Sequence, residues 1–153
     1  MRALELKIPP PAVALVTGLL MWLASRSVPA FAYMFSAHDS VAIGLAMIGV
    51  TTAISGVLTF RRAKTTVNPL KPESASSLVA SGIYSITRNP MYLGLFLGLT
   101  AWAIHLSNAA VFLFLPVFVA YINRYQILPE ERVLTSLFGR DFAAYQSRVR
   151  RWI

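Results

Sequence analysis

The chain contains no cysteine. Disulfides, thiolate nucleophiles and cysteine-ligated zinc are excluded before any other residue is weighed. Charge is scarce as well: Asp, Glu, Lys and Arg make up 13% of the 153 residues, against roughly 25% in soluble domains. Hydrophobic residues make up 56%. One domain of this length has too little interior to hide that much apolar side chain from water, so the composition points to an integral membrane protein. Internal repeats and low-complexity tracts are missing too, which excludes a solenoid. The first apolar run passes into Ser25-Arg26-Ser27 without a small-x-small cleavage site and is expected to be retained as a helix. None of the apolar runs carries an acidic residue, which removes the intramembrane carboxylate that proton-coupled transport needs.

The charge that is present is unevenly placed. The formal net charge is +8, and all Lys and Arg but Arg26 fall at the N-terminus (Arg2, Lys7), in the middle loop (Arg61, Arg62, Lys64, Lys71, Arg88) or after Tyr121. That is the positive-inside pattern. It implies cytoplasmic termini and a cytoplasmic middle loop, with the surplus facing anionic lipid headgroups rather than nucleic acid.

The hydrophobic pattern predicts an all-α protein with about four transmembrane helices and a cytoplasmic C-terminal helical unit. Ala12 to Ala24 forms a first segment, led in by Pro9-Pro10-Pro11. Ser25 to Ser40 reads as an external loop or surface helix, with His38 and Asp39 as an adjacent pair. Val41 to Phe60 is the clearest span, uncharged and about 30 Å long as a helix, and its Gly44, Gly49 and Gly56 suit close helix packing. The loop Thr65 to Ser81 is too polar to cross and too rich in proline for one helix. Met91 to Leu106 and Ala109 to Ile122 are separated only by Ser107-Asn108, which demands an antiparallel hairpin whose second helix is expected to run on to Leu128. From Pro129 an amphipathic helix begins, with Val133, Leu134, Leu137 and Phe138 on one side and Gly139 at its end. Asp141 suits the cap of a second short helix. The whole is expected to form one domain over 1–153, divided as two N-terminal helices (1–60), a cytoplasmic loop (61–90), the hairpin (91–128) and the C-terminal helices (129–153).

Between the middle loop and the hairpin lies the densest chemistry, Ser81 to Gly94. A turn is expected at Gly82, an extended residue at Asn89 before proline, and a helix start at Pro90. Arg88 then sits just outside a helix N-terminus, where free N–H groups favour anions. Its bland reading is a positive-inside residue. The adjacent Glu130-Glu131 has a bland reading as well, as pairs to Arg124, Arg132 or Arg88. Tyr84, Tyr92, Tyr121 and Tyr145 are also what a membrane interface attracts, and Gly94 and Gly98 are what helix packing uses.

In order, Gly82, Tyr84, Arg88, Asn89, Pro90, Tyr92 and Gly94 resemble the Gly-x-Tyr-x-x-x-Arg-(His/Asn)-Pro-x-Tyr-x-Gly signature of the isoprenylcysteine carboxyl methyltransferase family. The phospholipid methyltransferases stand beside that family. A second block, Pro129-Glu130-Glu131-Arg132-Val133-Leu134 with Phe138-Gly139, Phe142, Tyr145 and Val149-Arg150-Arg151-Trp152, matches downstream. The resemblance spans roughly Thr65 to the C-terminus. It implies an enzyme of the bacterial type, in the inner membrane, that uses S-adenosyl-L-methionine and no metal, and that methylates a lipophilic small molecule or lipid. It also implies that Gly82, Tyr84, Arg88, Asn89, Pro90, Tyr92, Leu93, Gly94, Glu130, Glu131 and Tyr145 hold the cofactor, with Arg88, Glu130 and Glu131 the catalytic candidates. Thr65 to Pro69 would lead toward the active site. Asn89 stands where the signature often has His, and it cannot carry a proton. Two other readings stay open: a non-enzymatic lipid-binding or scaffold protein, and an NADPH-dependent reductase of the sterol-reductase type.

Overall fold

Proline opens the first helix. In the computed structural model, which describes residues 5–34, 36–63, 73 and 76–153, α1 spans Pro10–Ser27 with prolines in its first turn, where the absent N–H has no intrahelical partner to lose. A 3-10 turn, Pro29–Phe31, follows. Then α2 runs His38–Arg62, longer at both ends than its uncharged stretch because polar residues complete the outer turns. Asp39 in the first turn and Arg61 and Arg62 in the last each complement the helix dipole. The Thr65 to Pro69 segment lies outside the described residues.

After a 3-10 turn at Gly82–Ser85, α3 spans Pro90–His105 and starts at the expected proline. Asn89 before it is non-helical, but at φ −132° and ψ 57° it is a bridging conformation rather than the fully extended one expected. A tight link through Ser107, whose φ is +50°, turns the chain into an antiparallel partner. That partner opens as a 3-10 turn, Ala109–Leu113, capped by Asn108 Oδ1, which accepts from Ala110 N at 2.9 Å, and becomes α4 at Phe114–Ile122.

The break expected near Leu128 does not occur. A π-helical segment, Asn123–Ile127, leads directly into α5, Leu128–Arg148, making one helical stretch of 40 residues from Ala109 to Arg148. Pro129 should break such a helix, because its ring crowds the carbonyl four residues back and supplies no N–H to it. The wide π turn directly precedes that position, and the abandoned Tyr125 carbonyl accepts from Leu6 N at 3.0 Å. The N-terminal segment thereby supplies the hydrogen bond that proline withdraws. Further along, Gly139 takes φ +48° and ψ −115° and kinks α5. Helix resumes beyond it, with no capping bond from Asp141 among the described residues.

The helices pack around α3. Antiparallel to it, α2 makes the closest approach: a Cβ placed on Gly49 would lie 2.8 Å from the Gly94 carbonyl oxygen, and one on Gly94 2.5 Å from that of Gly49. Gly56 meets Pro90 in the same way, whereas Gly44 has open space and plays no packing role. Alongside α3 in the same direction, α1 is tied by Trp102 Nε1 donating to Gly18 O at 3.0 Å and Asn108 Nδ2 donating to Val28 O at 2.8 Å. Met21, Tyr92, Leu99, Val111, Phe118 and Ile122 fill the core between α1, α3 and α4.

Outside that core the helices keep many large apolar side chains exposed. Along α2, Ile43, Met47, Ile48 and Val50 are each more than half exposed, a display that water would penalise by about 25 cal/mol per Å² and that hydrocarbon accepts. Among the described residues two helical stretches, α2 and Ala109–Arg148, are long and apolar enough to cross a membrane, and α3 (16 residues) is a shorter apolar helix. Among the described residues no strand forms, and the one β-bridge joins Ala32 to Asn108.

Candidate functional site

At the end of the bundle where α3 begins, Gly82 takes φ +60°, a conformation that glycine adopts without strain, and a side chain there would meet Thr59 of α2. The turn carries Tyr84 inward, where its ring packs edge-on to Phe60 at 4.9 Å between centroids. Tyr145 Oη donates to the Tyr84 carbonyl at 2.7 Å, fastening the kinked end of α5 to this turn. Burial pushes the Tyr84 phenol well above its ordinary pKa, with Tyr145 and Glu130 adding to the effect. It is a neutral hydroxyl across the working pH range, and its Oη is buried without a hydrogen-bond partner among the described residues.

The next residues are held by the C-terminal tail. Arg88 N donates to Arg150 O at 3.0 Å, and Asn89 Nδ2 donates to Arg151 O at 2.9 Å. Thr87, fully buried, accepts from Asn89 N at 3.2 Å. Trp152 anchors the tail by donating from Nε1 to Asn123 Oδ1 at 3.1 Å and by packing near Phe96. With its backbone gripped this way, Arg88 projects a guanidinium whose side chain is only 12% exposed.

The two glutamates diverge, as neighbours on a helix must. Glu131 pairs with Arg88 Nη2 at 3.2 Å and with Arg151, whose Nε and Nη2 reach its two oxygens at 3.1 and 2.6 Å. Glu130 accepts from Tyr92 Oη and has no cationic partner among the described residues. Arg124 and Arg132, the other partners open to the glutamates in the sequence, instead bind Glu5. On Arg88 itself, Nε and Nη1 are buried and have no hydrogen-bond partner among the described residues. A guanidinium presents its donors as a flat fork suited to a carboxylate or phosphate, so the structure leaves the open side of that fork available.

The contacts thus join Tyr84, Arg88, Asn89, Tyr92, Glu130, Glu131 and Tyr145 into one cluster. Pro90 and Leu93 are buried beside it, at the start of α3. Gly94 faces α2 and lines an apolar groove between α1, α2 and α3 rather than the charged cluster. Arg151, Thr87 and the Trp152–Asn123 pair were not among the site residues expected from the sequence. Arg151 lies within the second block, but its contact with the first spans more than sixty positions, a separation that no local periodicity encodes.

Comparisons with known proteins converge on one chemistry. The family described as "Phospholipid methyltransferase" matches residues 37–141. A "Protein-S-isoprenylcysteine O-methyltransferase" of Schizosaccharomyces pombe is 26% identical over 118 residues, covering 76% of this chain and 50% of that protein. The "Protein-S-isoprenylcysteine O-methyltransferase B" of Arabidopsis thaliana is 30% identical over 108 residues, covering 69% of this chain and 55% of that protein. The chain therefore spans about half the length of these two relatives. An uncharacterized protein of Haemophilus influenzae is 43% identical over 63 residues, which is its whole length and 41% of this chain. No solved structure matches.

Proposed function

From the membership of this chain in the phospholipid methyltransferase family, we propose that it is a membrane methyltransferase that uses S-adenosyl-L-methionine and acts on a lipophilic or lipid-like acceptor. Four helices cross the bilayer in this reading, and the clustered site and both termini lie on the cytoplasmic side. The observation that carries the reading is the half-satisfied Arg88: a buried guanidinium, held in place through Glu131, with two nitrogens still to be bonded.

The residues present fit the cofactor. When bound, S-adenosyl-L-methionine supplies a methyl group activated by its sulfonium. Arg88 offers Nε and Nη1 to the carboxylate of that molecule. Glu131, with both oxygens taken by guanidinium groups, orients Arg88 rather than touching the cofactor. Glu130 accepts from its ammonium or ribose hydroxyls. Tyr84 presents a buried hydroxyl without a partner, and the tyrosine faces suit the positive sulfonium. Asn89 secures the tail through Arg151 O and takes no part in proton transfer.

A transfer of this kind draws its rate from alignment of acceptor and methyl group. A carboxylate or thiolate acceptor needs no base. For an acceptor that must lose a proton, the Tyr92–Glu130 pair is the base, since it is the acidic group of the cluster not already neutralised by arginine. The acceptor reaches the cluster from the bilayer, between helices.

Binding calorimetry on the detergent-purified chain tests this, with S-adenosylmethionine and S-adenosylhomocysteine as ligands and NADPH as the control. Saturable binding of the first two supports the reading. No binding in detergent or in nanodiscs overturns it in favour of a scaffold, and tight NADPH binding in favour of a reductase.

A further inference from the structure

About sixteen residues along α3 from Arg88, or roughly 24 Å at 1.5 Å per residue, the opposite end of the bundle holds a cavity of about 320 Å³. Arg26, the one basic residue outside the positive-inside pattern, lines it together with His105 and the indoles of Trp22 and Trp102. The Arg26 guanidinium carbon lies 5.7 Å from the Trp22 ring centroid and has no carboxylate partner among the described residues. Its polar neighbours are engaged elsewhere. Trp102 Nε1 donates to Gly18 O, Asn108 Nδ2 donates to Val28 O, and His105 Nδ1 lies 2.9 Å from Asp39 Oδ1. Asp39, the nearby acidic residue, is held by His105 and His38 and leaves the charge of Arg26 uncompensated.

The same two tryptophans line a second cavity, the groove of about 670 Å³ between α1, α2 and α3. Its walls are apolar throughout, and Gly18, Gly49, Gly94 and Gly98 open its floor by presenting no side chain. From Trp102 to Gly94 it follows α3 for about 12 Å. A cationic mouth flanked by indoles thus leads into an apolar slot, and the two parts meet at Trp22 and Trp102. That is the shape and polarity of one amphiphile: an anionic head at the membrane interface and a hydrocarbon chain running inward.

We propose that this is a binding site for an anionic phospholipid of the leaflet opposite the methyltransferase cluster, its phosphate on Arg26 and one acyl chain in the groove along α3. The site is independent of the methyl-transfer reading, since it shares no charged residue with the cluster at the other end.

Native mass spectrometry of the full chain, with added dioleoylphosphatidylglycerol or dioleoylphosphatidylcholine, tests the proposal. The parent should prefer the anionic lipid by about fivefold, the ratio that one basic residue near a headgroup supplies. Arg26→Gln should abolish that preference, weakening phosphatidylglycerol more than phosphatidylcholine, whose phosphate already has the choline cation beside it. Gly98→Leu should reduce binding of both lipids, because Gly98 lines the groove and a Cβ there meets no atom within 4 Å, so the larger side chain is expected to occupy the groove. Both variants should bind S-adenosylmethionine as the parent does. Retained preference in Arg26→Gln, or parent-like binding of both lipids in Gly98→Leu, overturns the site. Inorganic phosphate that displaces phosphatidylglycerol completely would show a free-anion site and overturn the lipid assignment.

Discussion

Replacing Arg88 with alanine should separate binding from stability. Its open Nε and Nη1 would each make a charge-assisted bond to the cofactor carboxylate, worth about 1.5–3 kcal/mol apiece. Truncation should therefore cost about 3 kcal/mol of binding, roughly a 100-fold rise in Kd. Stability should move the other way or not at all. The two unpaired nitrogens penalise the folded protein by about 1–3 kcal/mol each, and Glu131, though it loses Arg88 at 3.2 Å, keeps both bonds from Arg151. Arg88→Lys keeps the charge but not the planar fork, so about a tenfold loss of affinity is expected. The assay pairs calorimetric titration of S-adenosylmethionine with thermal unfolding in the same detergent. Parent-like affinity in Arg88→Ala refutes the assignment. Loss of binding accompanied by a fall in Tm also refutes it, since that marks a structural arginine.

Glycines about one helical turn apart should give opposite results when changed to alanine: Gly94→Ala, driven against Gly49 O and Ala53, should destabilise by about 1–3 kcal/mol, while Gly98→Ala, with open space around it, should stabilise by about 0.5–1 kcal/mol; thermal unfolding reads both. Tyr145→Phe removes the 2.7 Å bond to the Tyr84 carbonyl and should destabilise by about 1 kcal/mol, seen as faster protease nicking after Gly139. Hydrogen bonding to Arg124 and contact with Arg132 hold the Glu5 carboxyl below its ordinary pKa. Its tether is therefore complete above the unfolded value, near pH 4.5, and is lost as pH falls through the lowered folded value. Glu5→Gln should speed hydrogen exchange at the Leu6 amide, normalised to intrinsic rates, at neutral pH, and the difference from the parent should vanish in acid below that lowered value.

Much of the fold could be read from composition and local pattern. An α2 without interior charge, a proline opening α3, a two-residue link forcing a hairpin and a glycine interrupting the last helix are all decided within a few residues, where periodicity and backbone preference act. The π turn at Asn123–Ile127 was not legible. Pro129 locally favours a break, and the helix continues because Leu6, far away in sequence, bonds the carbonyl that proline abandons. The roles of glycines divided in the same manner: Gly44 and Gly49 look alike in the chain, yet only Gly49 meets the backbone of α3.

Residue types and order in two blocks sufficed to point to the methyltransferase chemistry, because in that order and spacing they resemble the signature of a known family. The partition of work among them belongs to the folded molecule. Adjacent Glu130 and Glu131 are equivalent as letters, but helical geometry sends one to Tyr92 and the other to two guanidinium groups. Arg151 enters the cluster only because the tail folds back along Thr87 to Asn89. Identity and short-range periodicity are local and survive in the sequence; ion pairing is decided by distances between segments that the sequence places far apart, and those exist only once the helices have packed.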